Sequence, residues 1–242
     1  MSTTHRIASG DVGFLWRERR GLKTFGPLAL WLMCATPILL GTTNIPESTP
    51  SSAHRSPTEA MRTTVNQTLG VLQDQELKKP ERMDERVTRL KQIADACFDY
   101  GEMAKRSLGG QWNKLGERER HEFVDLFTEF FTATYVEKIH SYSGEEVKFL
   151  SERLEGSHAE VKSLMIGKKT ETPLDYRLMM KGDDWKAYDV VVDGISLVQN
   201  YRGQFTAILR SSSYEQLVQI LRDKIVQYNV KTKSSERSTS SP

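Results

Sequence analysis

The chain has 242 residues, 38% of them apolar and 27% charged, which is enough sequence for one or two domains with a substantial core. Basic residues number 34 and acidic ones 32; five of the basic and two of the acidic residues fall within 1–40, leaving 29 against 30 in the remainder. A body so evenly charged lacks the basic face that phosphate contacts require, which excludes nucleic-acid binding as the main task.

The first 41 residues read as an export segment. Arg17, Arg19, Arg20 and Lys23 precede an apolar run from Phe25 to Leu40, the charge-then-apolar order of a secretory signal. At about sixteen residues the run falls short of the roughly 20 that span a bilayer comfortably. Residues 1–41 are therefore expected to be a signal peptide cleaved somewhere beyond Leu40. An uncleaved inner-membrane anchor is the alternative, because the preceding region is long and no A-x-A site follows. A lipoprotein at Cys34 is disfavoured by Met33, too large for the small residue usual at that position. With Cys34 in this segment only Cys97 is left, so no internal disulfide is expected. Cys97 lies among Ile93, Ala94 and Phe98 on a helical face and reads as a small buried hydrophobe.

Residues 42–58 are rich in Ser, Thr and Pro, with Pro46, Pro50 and Pro57, and are expected to form a flexible linker. Ser56, Pro57 and Glu59 then mark a helix start, and Met61, Val65, Leu69 and Leu72 follow at helical spacing. Pro80 interrupts, and a second helix carries Met83, Val87, Leu90, Ala94 and Cys97. A third, from about Glu117 to His140, has an unusually wide apolar sector: Phe123, Phe127, Phe130 and Thr134 on one face, with Leu126, Phe131, Tyr135 and Ile139 beside it. Such a sector needs a thick core or a ligand to cover it.

The pattern then changes to strands over 146–154, 159–166 and 174–181, where Leu174, Tyr176, Leu178 and Met180 alternate with more polar neighbours. Gly182-Asp183-Asp184 predicts a hairpin turn, after which Trp185 to Val192 returns antiparallel. Ser196 is placed to cap a following helix with Val198, Tyr201, Phe205, Ile208 and Leu209 inward. Ser212 or Ser213 opens a last one, with Glu215 or Gln216 at capping-box spacing, and its buried stripe is Leu217, Leu221, Ile225 and Tyr228. The tail from 231 to 242 is polar and expected to be disordered. The fold class is thus α+β: an antiparallel sheet of about four strands packed on several helices, the domain running over 59–230.

Catalytic constellations are thin. His121, His140 and His158 have no Cys or Asp at metal-ligand spacing, and no G-x-S-x-G, P-loop or HExxH occurs, so no catalytic residue and no metal site is assigned. Asp189 is the one acid inside an apolar strand. It reads as a hydrogen-bonded or ion-paired sheet residue, with Arg177 or Arg202 as candidate partners.

The run Trp185-Lys186-Ala187-Tyr188-Asp189-Val190, then Asp193-Gly194-Ile195-Ser196-Leu197-Val198, then Asn200-Tyr201-Arg202 with Gln204-Phe205 and Ile208-Leu209, resembles the MlaC family. Its members usually write W-K-V-Y-D-V, E-G-V-S-L-V and N-Y-R-x-Q-F. Met103-Ala104, Leu108-Gly109, Trp112, Phe123 to Phe131, Thr134-Tyr135 and Tyr142-Ser143-Gly144-Glu145 fall in the family's order, so the likeness covers roughly 60 to 230. Ala187, Asp193 and Gly203 depart mildly from it.

The resemblance implies a periplasmic carrier, not an enzyme, that holds a glycerophospholipid by its tails inside an apolar cavity. It also implies transfer between an outer-membrane lipoprotein-porin complex and an inner-membrane ABC transporter with an MCE-type subunit, maintaining outer-membrane lipid asymmetry. Cargo apart, no cofactor is expected, and the chain is expected to be a monomer. Each CH₂ removed from water contributes about 0.8 kcal/mol, so a sixteen-carbon tail represents on the order of 12 kcal/mol and must be almost wholly hidden. The residues whose hydrophobic faces suit such a wall are Phe98, Phe127, Phe131, Tyr135, Val161, Tyr176, Leu178, Tyr188, Val190, Val192, Val198, Tyr201 and Phe205, with Arg202 as the headgroup candidate. Two other classes stay open: a small-molecule enzyme on a cone-shaped α+β sheet, which needs an acid or His beside Asp189, and a lipid-free interaction module with an exposed apolar patch.

Overall fold

Six helices and a five-stranded antiparallel sheet make up the computed structural model, which describes the backbone of residues 55–139 and 142–239 and the side chains of 55–134 and 142–230. The export segment, the linker up to residue 54 and His140 lie outside the described residues.

Helix α1 (Pro57–Gln73) begins with a complete capping box: Glu59 N–H donates to Ser56 Oγ at 3.2 Å, and Ser56 N–H to the Glu59 carboxylate at 2.9 Å. Pro57 and Thr58 are therefore helical, two residues inside the range assigned to the linker, because proline at the first helical position gives up no hydrogen bond there. Ala60, Met61, Val65, Leu69 and Leu72 form the buried stripe of this helix, which packs across β1, β2 and β4. A single 3₁₀ turn at Pro80–Arg82 leads into α2 (Met83–Cys97).

Helix α3 (Tyr100–Leu108) follows after only two residues and is an element beyond those expected from the sequence. Asp99 makes it: its carboxylate accepts Glu102 N–H at 3.1 Å and Lys181 Nζ at 2.7 Å, while its own N–H donates to Ala187 O at 2.9 Å. The α2–α3 junction is thereby stitched to the sheet, and Phe98 bridges in parallel to Ala187. Helix α4 (Glu117–Ile139) pairs with α6, and α3 with α5.

The sheet runs in the order β1-β2-β3-β4-β5, from β1 (Glu146–Glu155), β2 (His158–Ile166), β3 (Glu171–Lys181) and β4 (Asp184–Val192) to the two-residue β5 (Ile195–Ser196). The expected four strands are all present, and β5 adds a short closing rung, Val191 opposite Ser196 and Val192 opposite Ile195. Gly156 and Gly182, at φ 59° and 63°, occupy the left-handed conformation that their hairpin turns require. The exposed edge strand β1 carries a bulge at Leu150 and a charged outer half, both of which discourage pairing with another chain.

From Ser196, α5 (Leu197–Ser211) leaves the sheet, and Ser213 and Gln216 exchange the two hydrogen bonds of a second capping box, each 3.3 Å, ahead of α6 (Tyr214–Thr239). The helix continues to Thr239, into the segment read as a disordered tail. Propagating a formed helix adds one hydrogen bond per residue and needs no burial. A single hydrophobic core joins the inward face of the sheet to all six helices.

Candidate functional site

Most of the residues assigned to the wall come together in two groups. On the sheet, Val161, Tyr176 and Val190 are direct register partners across β2, β3 and β4, with Leu178 and Val192 farther along the same face. All but the half-buried Val192 are buried. Burial raises the Tyr176 phenol far above its ordinary range, so it stays a neutral hydroxyl within the apolar layer.

On the helices, the aromatic rings form a continuous chain. Phe131 meets Phe98 at 5.7 Å and Tyr100 at 5.9 Å between centroids; Phe127 continues from Phe131 at 6.1 Å and reaches Tyr201 at 5.8 Å and Phe205 at 6.5 Å. The width of the α4 apolar sector has its cause here, because different neighbours cover its two flanks. Phe130 packs on Tyr201 of α5 and Tyr228 of α6, Phe123 packs on Tyr214 of α6, and Phe131 faces the start of α3. Val198 is buried in the first turn of α5. The Tyr135 side chain lies outside those described.

Two assigned residues stand outside these groups. Tyr188 leaves the inward group because β4 bulges there: Leu178 pairs with Ala187 and Arg177 with Asp189, so the phase of the strand shifts at Tyr188. Its ring is half-buried against the core, 5.9 Å from the His158 ring and beneath the Arg106 guanidinium at 4.2 Å. A cavity of about 180 Å³ adjoins it, lined by Arg153, Glu155, His158, Ala159, Glu160, Arg177 and Tyr188, and its mixed charges do not suit an acyl chain. Arg202 also stands apart. It is exposed, and its Nε lies 3.0 Å from where a Cβ on Gly109 would sit, so it covers the α3 terminus.

Asp189, only 2% exposed, is fully engaged in structure. Arg177 Nη1 donates to Oδ2 at 3.0 Å, Ser196 Oγ to the same oxygen at 2.6 Å, and Val198 N–H to Oδ1 at 3.1 Å. Of the two candidate partners the structure selects Arg177. No acid or histidine stands among these three partners. Among the described residues no group of His, Cys, Asp and Glu could hold a metal ion, and no helix is long and apolar enough to cross a membrane. His121 is exposed, its Nδ1 2.9 Å from Glu117 O.

Cys97 is buried, with Sγ 4.0 Å from Met61 Sδ, and burial pushes its thiol up to about 11. The thiolate is the reactive form, so Cys97 is expected to be inert to a thiol reagent at pH 8 until the protein unfolds. A Cys34→Ser chain isolates this signal; full labelling of Cys97 within minutes in native buffer would contradict the burial.

A family model described as MlaC protein matches residues 62–223. Among solved structures, the fold is similar to that of the phospholipid-binding protein from Ralstonia solanacearum in complex with a phospholipid, with a TM-score of 0.61 and 21% identity over 70% of this chain and 97% of that one. No curated protein matches the chain. The matched span takes in α2 to α5 entire and α1 from residue 62 onward, together with the Trp185 to Leu209 run, the inward rung of the sheet and the α4 aromatics, and on that ground the chain belongs to the MlaC family.

Proposed function

We propose that this protein is a phospholipid carrier that holds its cargo by the acyl chains between the inward face of the sheet and the helices. The observation that carries the reading is its membership of the MlaC family, on a fold shared with a protein solved with phospholipid in place. The apolar layer supports it: Val161, Tyr176, Leu178 and Val190 on one side and the α4 aromatics on the other offer tails almost no charge. Holding a lipid needs differential solvation rather than bond chemistry, so the protein acts without catalysis and its cargo is its only ligand.

The family likeness and the apolar run at residues 25–40 support export to the periplasm. In that compartment the carrier passes lipid between an outer-membrane lipoprotein-porin complex and an inner-membrane ABC transporter with an MCE-type subunit, as a monomer, and so maintains outer-membrane asymmetry. The direct test is native mass spectrometry of protein purified from a periplasmic fraction, with lipid extraction. The expected result is a stoichiometric mass excess that resolves into glycerophospholipid, on a polypeptide lacking residues 1–41. Bare protein that also takes up no lipid from vesicles would overturn the reading.

A further inference from the structure

Arg86 is the one arginine of the described core that lacks an acidic partner. It lies on the inward side of α2, four residues before Leu90, and only 5% of it is exposed. One terminal nitrogen donates to Leu72 O, 3.2 Å away near the end of α1, while its Nε is buried with no hydrogen-bond partner. Nearby acids are committed elsewhere: Glu85 is paired with Arg82 and Arg89, and Asp74 accepts the N–H groups of Glu76 and Leu77. A guanidinium remains charged at any physiological pH and carries five donors in a rigid fork, so one carbonyl leaves most of its capacity unused. A buried charge without a counter-ion is strongly unfavourable, and a site that keeps one is completed by an anion.

Resting on the carrier reading above, we propose that Arg86 is the cation that receives the phosphate group of the bound lipid. The Leu72 carbonyl, at the terminus of a helix whose last turn has no basic residue of its own, orients the guanidinium. Its planar fork matches two phosphate oxygens at once. This places the headgroup contact at the α1–α2 junction rather than at the exposed Arg202 on α5. The shared chemistry is a phosphate oxyanion, and the lipid is its source.

The test compares delipidated full-length protein binding phosphatidylglycerol and diacylglycerol of identical tails, by competition with a fluorescent lipid. Wild type is expected to prefer the phospholipid at least about tenfold, the scale of a charge-assisted hydrogen-bond pair. Arg86→Gln, whose amide can still donate to Leu72 O, is expected to reduce that preference to within about twofold while diacylglycerol affinity holds. A preference that survives Arg86→Gln, or equal weakening of both lipids, overturns the proposal in favour of a purely structural helix cap. If the variant does not fold, the wild-type comparison alone decides, and equal affinity for the two lipids overturns it. Inorganic phosphate that raises the wild-type melting temperature but not the variant's, with no lipid preference, would assign the site to free phosphate instead. Wild type that binds neither lipid sinks the carrier reading itself, a different outcome from failure at Arg86.

Discussion

Asp189→Ala is expected to lower stability by roughly 2–4 kcal/mol. The carboxylate ties Arg177 on β3 to the start of α5, through the Ser196 cap and the Val198 N–H in its first turn. Hydrogen bonds to a charged group contribute about 1.5–3 kcal/mol each, but these three share one carboxylate and do not add. The Arg177 side chain is 39% exposed and can return to water, so the figure is set by the two contacts to α5. Asp189→Asn keeps an acceptor for Val198 and is expected to lose about half as much. Urea unfolding followed by circular dichroism measures this as a lower midpoint at unchanged slope. A loss under about 1 kcal/mol for the alanine variant would show that the strand-turn-helix unit holds without the clasp.

That unit was also the most legible part of the sequence. A buried strand, the Asp193-Gly194 turn and the Ser196 cap follow without interruption, and each local preference agrees with the fold it enters. Asp193 itself adopts φ 49°, a conformation that aspartate tolerates better than most residues. The α1 start was equally clear because Ser56 and Glu59 make a reciprocal cap that depends on nothing distant. Separate identity for α3 was present in Asp99 and Glu102 at capping spacing, but two residues of interruption are easily read as a continuous helix. A two-residue strand such as β5 has no periodicity to detect.

Tyr188 shows what strand alternation alone does not reveal. It has the same parity as Val190 and Val192, so strict alternation turns all three inward. The β4 bulge inserts one residue of phase, after which Ala187 and Val190 share a face and Tyr188 does not. Nothing in the local sequence announces that shift, since it is set by pairing with β3. Arg86 was hidden for a related reason: among Asp84, Glu85 and Arg89 it reads as part of a solvated charged helix. Only its position four residues before Leu90 hinted that it points inward, and the absence of an acidic partner is a fact of three-dimensional packing.

Val190→Trp is expected to reduce lipid per protein at least about tenfold with the fold retained, because Val190 sits at the centre of the inward rung. Its neighbours are Tyr176, directly paired, and Val161 one strand beyond. At 1% exposure it has no route to solvent, so an indole must extend into the layer between the sheet and the helices. Overpacking of this kind typically costs about 1–3 kcal/mol, within what a domain of this size tolerates. Cargo is more sensitive. Each methylene displaced forfeits about 0.8 kcal/mol, so excluding two or three is enough for a tenfold to fiftyfold loss of affinity. Native mass spectrometry gives the occupancy, and thermal unfolding shows that the domain persists. Tyr188→Ala is the control: its half-buried ring rests against His158 and Arg106 and is not a register partner in the Val190 rung, so occupancy is expected to stay at the wild-type level. Full occupancy in a folded Val190→Trp protein would place the tails away from this rung, and loss of lipid in the Tyr188 variant would extend them to the Tyr188 ring.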